Sequence, residues 1–242
     1  AAALAGVAML TAHALFKSTL FLVVGVVDHS AGTRDLTRLT GLARAMPLVA
    51  VIGGIGAASM AGLPPTLGFI AKESALEALT YLVEYHGDGT GLTPALAVCL
   101  LAAVVLGSML TVAYSLRWWW GAFADKRDVT APEVHRPSMG FVAAPTLLAA
   151  ASLAGGFVGP PLTTLFETYA TTVPGGHESH GLALWHGLTV PLGLSLLAIG
   201  LGAVLFWQRD AIASAQATFP VVKGSDELYN ETMRRLDVLA VE

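Results

Sequence analysis

The fold depends most on residues 57–73, which read AASMAGLPPTLGFIAKE. An apolar run of helix length is interrupted here by Gly-Leu-Pro-Pro and then resumes with a lysine and a glutamate. Proline has no amide hydrogen, and its ring clashes with the carbonyl four residues earlier, so Pro64 and Pro65 predict a break in the helix. The stretch therefore predicts a discontinuous helix with ionisable side chains beside the break.

The composition indicates the class of protein in which this break lies. Hydrophobic residues make up 55% of the 242 residues and charged residues only 12%, with a mean hydropathy of +0.67. A soluble domain has about a quarter of its residues charged. Helix is the expected element, because backbone groups in lipid must bond within their own segment and the alternating pattern of barrel strands is absent. The sequence predicts an all-α, polytopic integral membrane protein.

Five apolar segments reach or approach the ~20 residues that a membrane-spanning helix needs. The segments cover residues 1–27, 47–82, 94–118, 141–158 and 182–206. The second is too long for one straight span, which agrees with a helix broken at Gly62, Pro64 and Pro65. We expect about five transmembrane helices, with the second one discontinuous.

The positions of Lys and Arg support this map. Two of the 13 such residues, Lys17 and Lys72, lie inside predicted spans. The other eleven fall in alternate connections, after the first, third and fifth segments, with Arg117 at the end of the third counted among them. Because cytoplasmic loops are enriched in Lys and Arg, we expect a multi-pass protein of the cell membrane with Ala1 outside and Glu242 in the cytoplasm.

The chain begins in mid-apolar sequence without a Met and stops within an expected helix, so we expect it to be part of a longer polypeptide. Three regions are expected along it. Residues 1–82 hold the ion-path helices, residues 83–210 hold three further transmembrane helices, and residues 211–242 form a cytoplasmic amphipathic segment.

Ionisable residues inside spans are the candidates for function, because a central Lys costs at least ~2.5–3.5 kcal/mol and usually faces a polar interior. His13 and Lys17 share a helix face, about 6 Å apart along the axis. Lys72 follows the Pro-Pro pair. Since His titrates near neutral pH and burial lowers the pKa of Lys, these residues can form a proton relay. The alternative is a histidine bonded to a neighbouring helix and lysines that reach the interface or pair helices.

Other polar residues have weaker signals. Glu73 and Asp28 are auxiliary candidates for the ion path. His177, Glu178 and His180 fall in an outer loop, where solvated side chains are favoured over a metal site. The single cysteine, Cys99, excludes an intrachain disulfide. No metal and no cofactor are expected.

Three stretches resemble the antiporter-like subunits shared by Mrp-type Na⁺/H⁺ antiporters and respiratory complex I. They read HALFKSTLFL (13–22), VDHSAGTRD (27–35) and SMAGLPP with GFIAKE (59–65 and 68–73). The last two are most similar to the large A subunit of Mrp antiporters, whose antiporter-like domain this chain would match in its C-terminal part. The resemblance is specific up to about residue 75 and weaker beyond it.

This resemblance implies two inverted five-helix repeats, each with a broken helix, and a chain of mid-membrane Lys, His and Glu residues that carries protons. On that basis His13 and Lys17 match the family's residues on the helix before the second broken helix. Lys72 matches the lysine on the broken helix itself. Complex I relatives often have a second His one turn before the first, whereas Met9 stands there in this sequence.

The expected function is that of a proton-translocating subunit of a multi-subunit Na⁺/proton antiporter. Its expected partners are the other subunits, the lipid bilayer, protons and Na⁺, without nucleic acid. Two alternatives stay open: a proton-pumping subunit of complex I, and a structural membrane scaffold whose charges only pair helices. An enzyme is not expected, because the sequence offers no nucleophile–base pair, phosphate loop or metal-ligand set.

Overall fold

A computed structural model describes residues 2–85, 91–173, 181–217 and 229–234. In this part of the chain every regular element is a helix, so the predicted all-α fold is confirmed. The helices are α1 (Ala2–Ala31), α2 (Leu42–Ala45), α3 (Pro47–Ala61), α4 (Leu67–Glu84), α5 (Pro94–Phe123), α6 (Met139–Gly155), α7 (Gly159–Ala170), α8 (Val190–Trp207) and α9 (Arg209–Ala217).

Three of the described helices, α1, α5 and α8, are long and apolar enough to cross a membrane. Helices α6 and α7 meet at 95° and would make a fourth span if taken together, while α3 is a shorter apolar helix. The multi-pass character is thus supported by helix length and composition. The count of five, and the interpretation of α3 and α4 as one discontinuous span, stay predictions.

Local sequence sets where several helices begin. Thr66, Thr93 and Ser138 precede α4, α5 and α6, and each hydroxyl accepts a hydrogen bond from the amide three residues later, at 3.3 Å. Such side chains satisfy amides that have no partner within the helix. Prolines occupy the first turn of α3, α5 and α7, where a missing amide hydrogen has no consequence.

Helix α1 is the centre of the packing and touches α3, α4, α6 and α7. Its first half joins α4 in one buried apolar cluster, and its second half joins α3 and the end of α5 in another. A β-carbon at Gly56 of α3 would lie 3.1 Å from side-chain atoms of Thr19 and Leu20. Small residues at helix interfaces allow this close approach, which membrane proteins use in place of hydrophobic collapse.

Hydrogen bonds join residues 33–41 to residues 121–127, and we call these two segments together the loop clasp. The ammonium of Lys126 donates to three main-chain carbonyls, at 2.5, 2.8 and 2.6 Å, and its amide donates to Thr40 Oγ1 at 2.7 Å. The three carbonyls belong to Leu36, Leu39 and Gly121. Burial lowers the pKa of Lys126, and the nearby Asp35 carboxylate opposes that shift. The clasp ties the connection after α1 to the one after α5.

Residues Ala1–Phe206 form one compact unit and Trp207–Glu242 a second. In the second unit α9 and residues 229–234 are helical, and Arg209 and Asp210 form an ion pair at 3.8 Å. The remainder of the predicted amphipathic segment, residues 218–228 and 235–242, lies outside the described residues. The predicted division into residues 1–82, 83–210 and 211–242 stays a prediction.

Candidate ion-translocation site

The helix is interrupted between α3 and α4, at Gly62, Pro64 and Pro65. Gly62 has φ of +78° and its amide donates to Ser59 at 3.1 Å, while the amide of Leu63 donates to Ala58 at 2.9 Å. This is the Schellman arrangement, which needs a left-handed residue and therefore favours glycine. Two prolines follow, and the helix resumes at Leu67 after the capping residue Thr66.

Lys72 folds back onto this interruption. Its Nζ donates to the carbonyl of Ala61, the last residue of α3, at 2.9 Å. A β-carbon at Gly62 would lie 3.0 Å from Cδ, Cε and Nζ of Lys72, so the glycine makes room for the lysine as well as for the turn. The last four carbonyls of a helix lack helical partners, and the C-terminal end carries about half a unit of negative charge. The ammonium therefore lies where the end of α3 stabilises it.

Small residues hold the two halves of the interruption close together. A β-carbon at Gly68 would lie 1.9 Å from the carbonyl oxygen of Ser59, and one at Gly156 would lie 1.8 Å from that of Pro65. Ser59 Oγ accepts from the Gly68 amide at 3.2 Å and bonds Ser152 Oγ of α6 at 2.8 Å. The end of α6 and the start of α4 thus fit against the break through glycine and serine, and any larger side chain would separate them.

Glu73, next to Lys72, is buried and points toward a different helix. Its Oε1 accepts a hydrogen bond from the hydroxyl of Ser195 on α8. Neighbouring residues on a helix point about 100° apart, which explains why Lys72 and Glu73 have separate partners. The Glu73–Ser195 hydrogen bond thus connects α4 to α8.

His13 and Lys17 both lie on α1, one helical turn apart as the sequence predicted. His13 is exposed in this chain and its ring meets that of Phe16 edge-on at 5.3 Å, while Lys17 is half-buried. Phe16 belongs to the same buried cluster as Ala71, the residue before Lys72. The packing of α1 on α4 therefore brings the two lysine-bearing segments together, with the face of His13 left uncovered by the described residues.

The remaining sequence candidates lie elsewhere. Asp28 is exposed near the end of α1, where its carbonyl accepts from the Gly32 amide at 2.9 Å. His177, Glu178 and His180 lie outside the described residues. Within the residues that are described, no group of three His, Cys, Asp or Glu side chains is placed to hold a metal ion. Sequence reasoning missed Ser59, Ser152 and Ser195. Their occurrence as polar residues within apolar helices is the signal that could have identified them.

The fold and this site define a multi-pass helical membrane protein whose ionisable side chains lie at a helix interruption. Residues 2–95 match the family model described as "NADH:quinone oxidoreductase/Mrp antiporter, TM". That match contains α1, α3, α4 and the whole interruption.

Curated relatives extend the similarity along the chain. The probable A/B subunit of a K⁺/H⁺ antiporter from Rhizobium meliloti (strain 1021) is 34% identical over 92% of this chain and 22% of its own length. The A subunit of the Na⁺/H⁺ antiporter from Alkalihalophilus pseudofirmus is 30% identical over 88% of this chain and 27% of its own length. The chain thus spans about a quarter of the length of these relatives.

A solved structure agrees with them. The Mrp complex from Dietzia sp. DQ12-45-1b contains a chain that is similar over 99% of this chain and 25% of its own length, with 30% identity and a TM-score of 0.76. The chain carries a transmembrane domain of the NADH:quinone oxidoreductase/Mrp antiporter family, as the three sequence stretches indicated.

Proposed function

We propose that this chain forms part of a proton-translocating subunit of a multi-subunit cation/proton antiporter, with protons passing along His13, Lys17 and Lys72. The observation that carries the proposal is the position of the Lys72 ammonium, 2.9 Å from the Ala61 carbonyl at the end of α3. The named relatives support the class, since they are antiporter subunits.

A helix end suits a lysine that must release its proton. The partner of Lys72 among the described residues is a carbonyl and the partial charge of a helix end. This interaction is weaker than one with a full carboxylate charge, which would favour the protonated form more strongly. A proton arriving on Lys17 then repels the charge on Lys72. For an assumed separation of ~10 Å and an effective dielectric constant of 20, the repulsion between two unit charges is about 1.7 kcal/mol, or more than tenfold in proton affinity.

The proposed cation is Na⁺, following the resemblance to Mrp-type Na⁺/H⁺ antiporters. The relative from Rhizobium meliloti is named for K⁺ and H⁺, so K⁺ is the competing cation. The proposed partners are the other subunits of the complex and the lipid bilayer. The proton-pumping subunit of complex I is the second candidate, because the family description names NADH:quinone oxidoreductase beside the Mrp antiporter.

The proposed orientation places the loop clasp in the cytoplasm and the connection between α4 and α5 outside. It rests on the alternation of Lys- and Arg-bearing connections. Single cysteines replacing the exposed residues Thr93 and Thr130, in a Cys99→Ala background, test it with a membrane-impermeant maleimide on intact cells. Labelling at position 93 alone supports the orientation, and labelling at position 130 alone reverses it.

Transport in the intact assembly tests the relay. In everted vesicles, Na⁺- or K⁺-dependent dequenching of a pH-sensitive dye is expected to fall to background for Lys72→Ala and Lys17→Ala. Arg127→Ala, at an exposed cation of the clasp, is the control and is expected to transport normally. Unchanged dequenching in a normally assembled Lys72→Ala complex would leave the lysine with a structural role. Proton pumping without any cation dependence would favour the complex I candidate.

A further inference from the structure

A cavity of about 300 Å³ opens where α3 and α6 begin, away from the ion-path residues. Two arginines line it, Arg44 and Arg136, together with apolar side chains that include Met46, Leu48 and Met139. Arg44 stands three residues before the first residue of α3, and Arg136 three residues before the first residue of α6. Two connections that are distant in sequence thus bring one cation each to the same apolar recess.

The charges around the cavity leave it cationic. Arg44 forms an ion pair with Asp125 at 2.6 Å, and its side chain is 84% exposed. A guanidinium has five N–H donors, so the pair with one carboxylate leaves donors for a second anion. Arg136 is exposed, and no ion pair involving it is formed among the residues that the structure describes. The two guanidiniums therefore carry one more positive charge than the Asp125 carboxylate neutralises.

The rim of the cavity is apolar on the side of the two helices. Leu48 and Met139 are 42% and 74% exposed, and they lie within the first turn of α3 and of α6. In a helix that enters a bilayer these side chains would meet the acyl region, whereas the arginines before the helix would lie at the headgroups. A soluble anion would use the guanidiniums and leave the apolar rim in water.

We infer that this cavity binds an anionic phospholipid, with the phosphate between Arg44 and Arg136 and an acyl chain along Leu48 and Met139. Basic recesses between helices on the cytoplasmic side hold anionic headgroups in this way, and arginine suits phosphate because its N–H fork matches two phosphate oxygens. The inference rests on the orientation proposed above and is independent of the proton relay. Lipid retention and cation-driven transport are separate readouts, so one can fail without the other.

The test is native mass spectrometry of the intact, delipidated complex titrated with phosphatidylglycerol or phosphatidylcholine. Arg136→Gln is the main variant, because it leaves the Arg44–Asp125 ion pair in place. We expect it to weaken retention of phosphatidylglycerol about tenfold, as loss of one charge-assisted hydrogen-bonding group implies. Arg136→Lys should restore part of the affinity. Arg38→Gln, at an exposed arginine outside this cavity, is the control and should bind as the parent does.

Three results would overturn the inference. The first is equal retention of phosphatidylglycerol by the parent, Arg136→Gln and the Arg44→Gln/Arg136→Gln double variant. The second is equal affinity of the parent for phosphatidylcholine, which would show that the cavity does not select an anionic headgroup. The third is displacement of the lipid by inorganic phosphate, which would reassign the site to a free anion.

Discussion

In the part of the chain that the structure describes, Lys72 and Lys126 both donate to main-chain carbonyls, and they do so in different ways. In the loop clasp the Lys126 ammonium uses its three donors on the carbonyls of Leu36, Leu39 and Gly121. At the helix interruption the Lys72 ammonium makes one hydrogen bond within the described residues, to Ala61. A lysine ammonium has three donors and no acceptor, so Lys126 is saturated by the backbone and Lys72 is not.

This difference is what we expect if Lys126 holds structure and Lys72 carries protons, as proposed. Removing the proton from Lys126 would weaken three hydrogen bonds that join two loops. Removing it from Lys72 would affect one bond at a helix end, and the remaining donors are free to meet water or another group along a path. The number of hydrogen-bond partners would therefore distinguish the two proposed roles better than position in the sequence does.

The largest expected effect comes from the backbone that surrounds Lys72. Gly68→Ala would place a β-carbon 1.9 Å from the Ser59 carbonyl oxygen, and main-chain atoms cannot move aside as a side-chain end can. Overpacking costs about 1–3 kcal/mol when side chains can relax, so a contact with backbone should cost more. We expect little assembled complex by size-exclusion chromatography. Gly107→Ala is the control, since nothing lies within 4 Å of its β-carbon position. Normal assembly of Gly68→Ala would show that close approach does not set the break.

The next effect tests the clasp. Lys126→Met removes all three donors, and each carbonyl left unpaired costs about 1–3 kcal/mol when buried and less here, where the lysine is partly exposed. We expect the thermal unfolding temperature of the solubilised protein to fall by about 2–4 °C per kcal/mol lost. Transport per assembled complex should stay as in the parent, and the exposed neighbour Arg127→Met should change neither quantity. Loss of transport in a fully assembled Lys126→Met complex would remove the distinction between the two lysines.

The smallest effect is a pH dependence of the clasp. The hydroxyl and amide of Thr37 donate to Asp35 Oδ1, at 2.7 and 2.9 Å, and lower the pKa of Asp35 below its ordinary value of 3.8. A lowered pKa stabilises the folded state above pH 3.8, and this contribution is lost as the pH falls through the folded-state pKa. We expect slightly weaker thermal stability in the parent on acidification through that range. Asp35→Asn should lack this component, and identical pH profiles would exclude it.

The sequence predicted the features that depend on local chemistry. Two adjacent prolines after a glycine predicted the interruption, because proline lacks an amide hydrogen and clashes with the preceding turn. The lysine beside the break was found because charge is rare in apolar sequence. Its contact with Ala61 was not predicted, since it depends on how the two helices meet.

Contacts between distant residues were beyond sequence reasoning. Ser195 meets Glu73 across 122 positions, and Lys126 reaches Leu36 across 90. The 95° angle between α6 and α7 falls within Gly-Phe-Val-Gly-Pro-Pro (156–161), where the sequence predicted the end of the fourth span but not the size of the angle. The uncovered face of His13 also depends on packing. These features depend on tertiary packing, which cannot be inferred from the local pattern of a single sequence.

Lys72→Arg, compared with Lys126→Arg, tests the central claim most directly. Arginine keeps the positive charge and can donate to the Ala61 carbonyl, but it does not release a proton at physiological pH. If Lys72 carries protons, cation-driven proton transport per assembled complex should fall about a hundredfold or more in Lys72→Arg, as loss of a proton-transfer group implies. Lys126→Arg should transport at the parent's rate. Parental transport by a normally assembled Lys72→Arg complex would contradict the account, because a fixed charge would then be sufficient at the break.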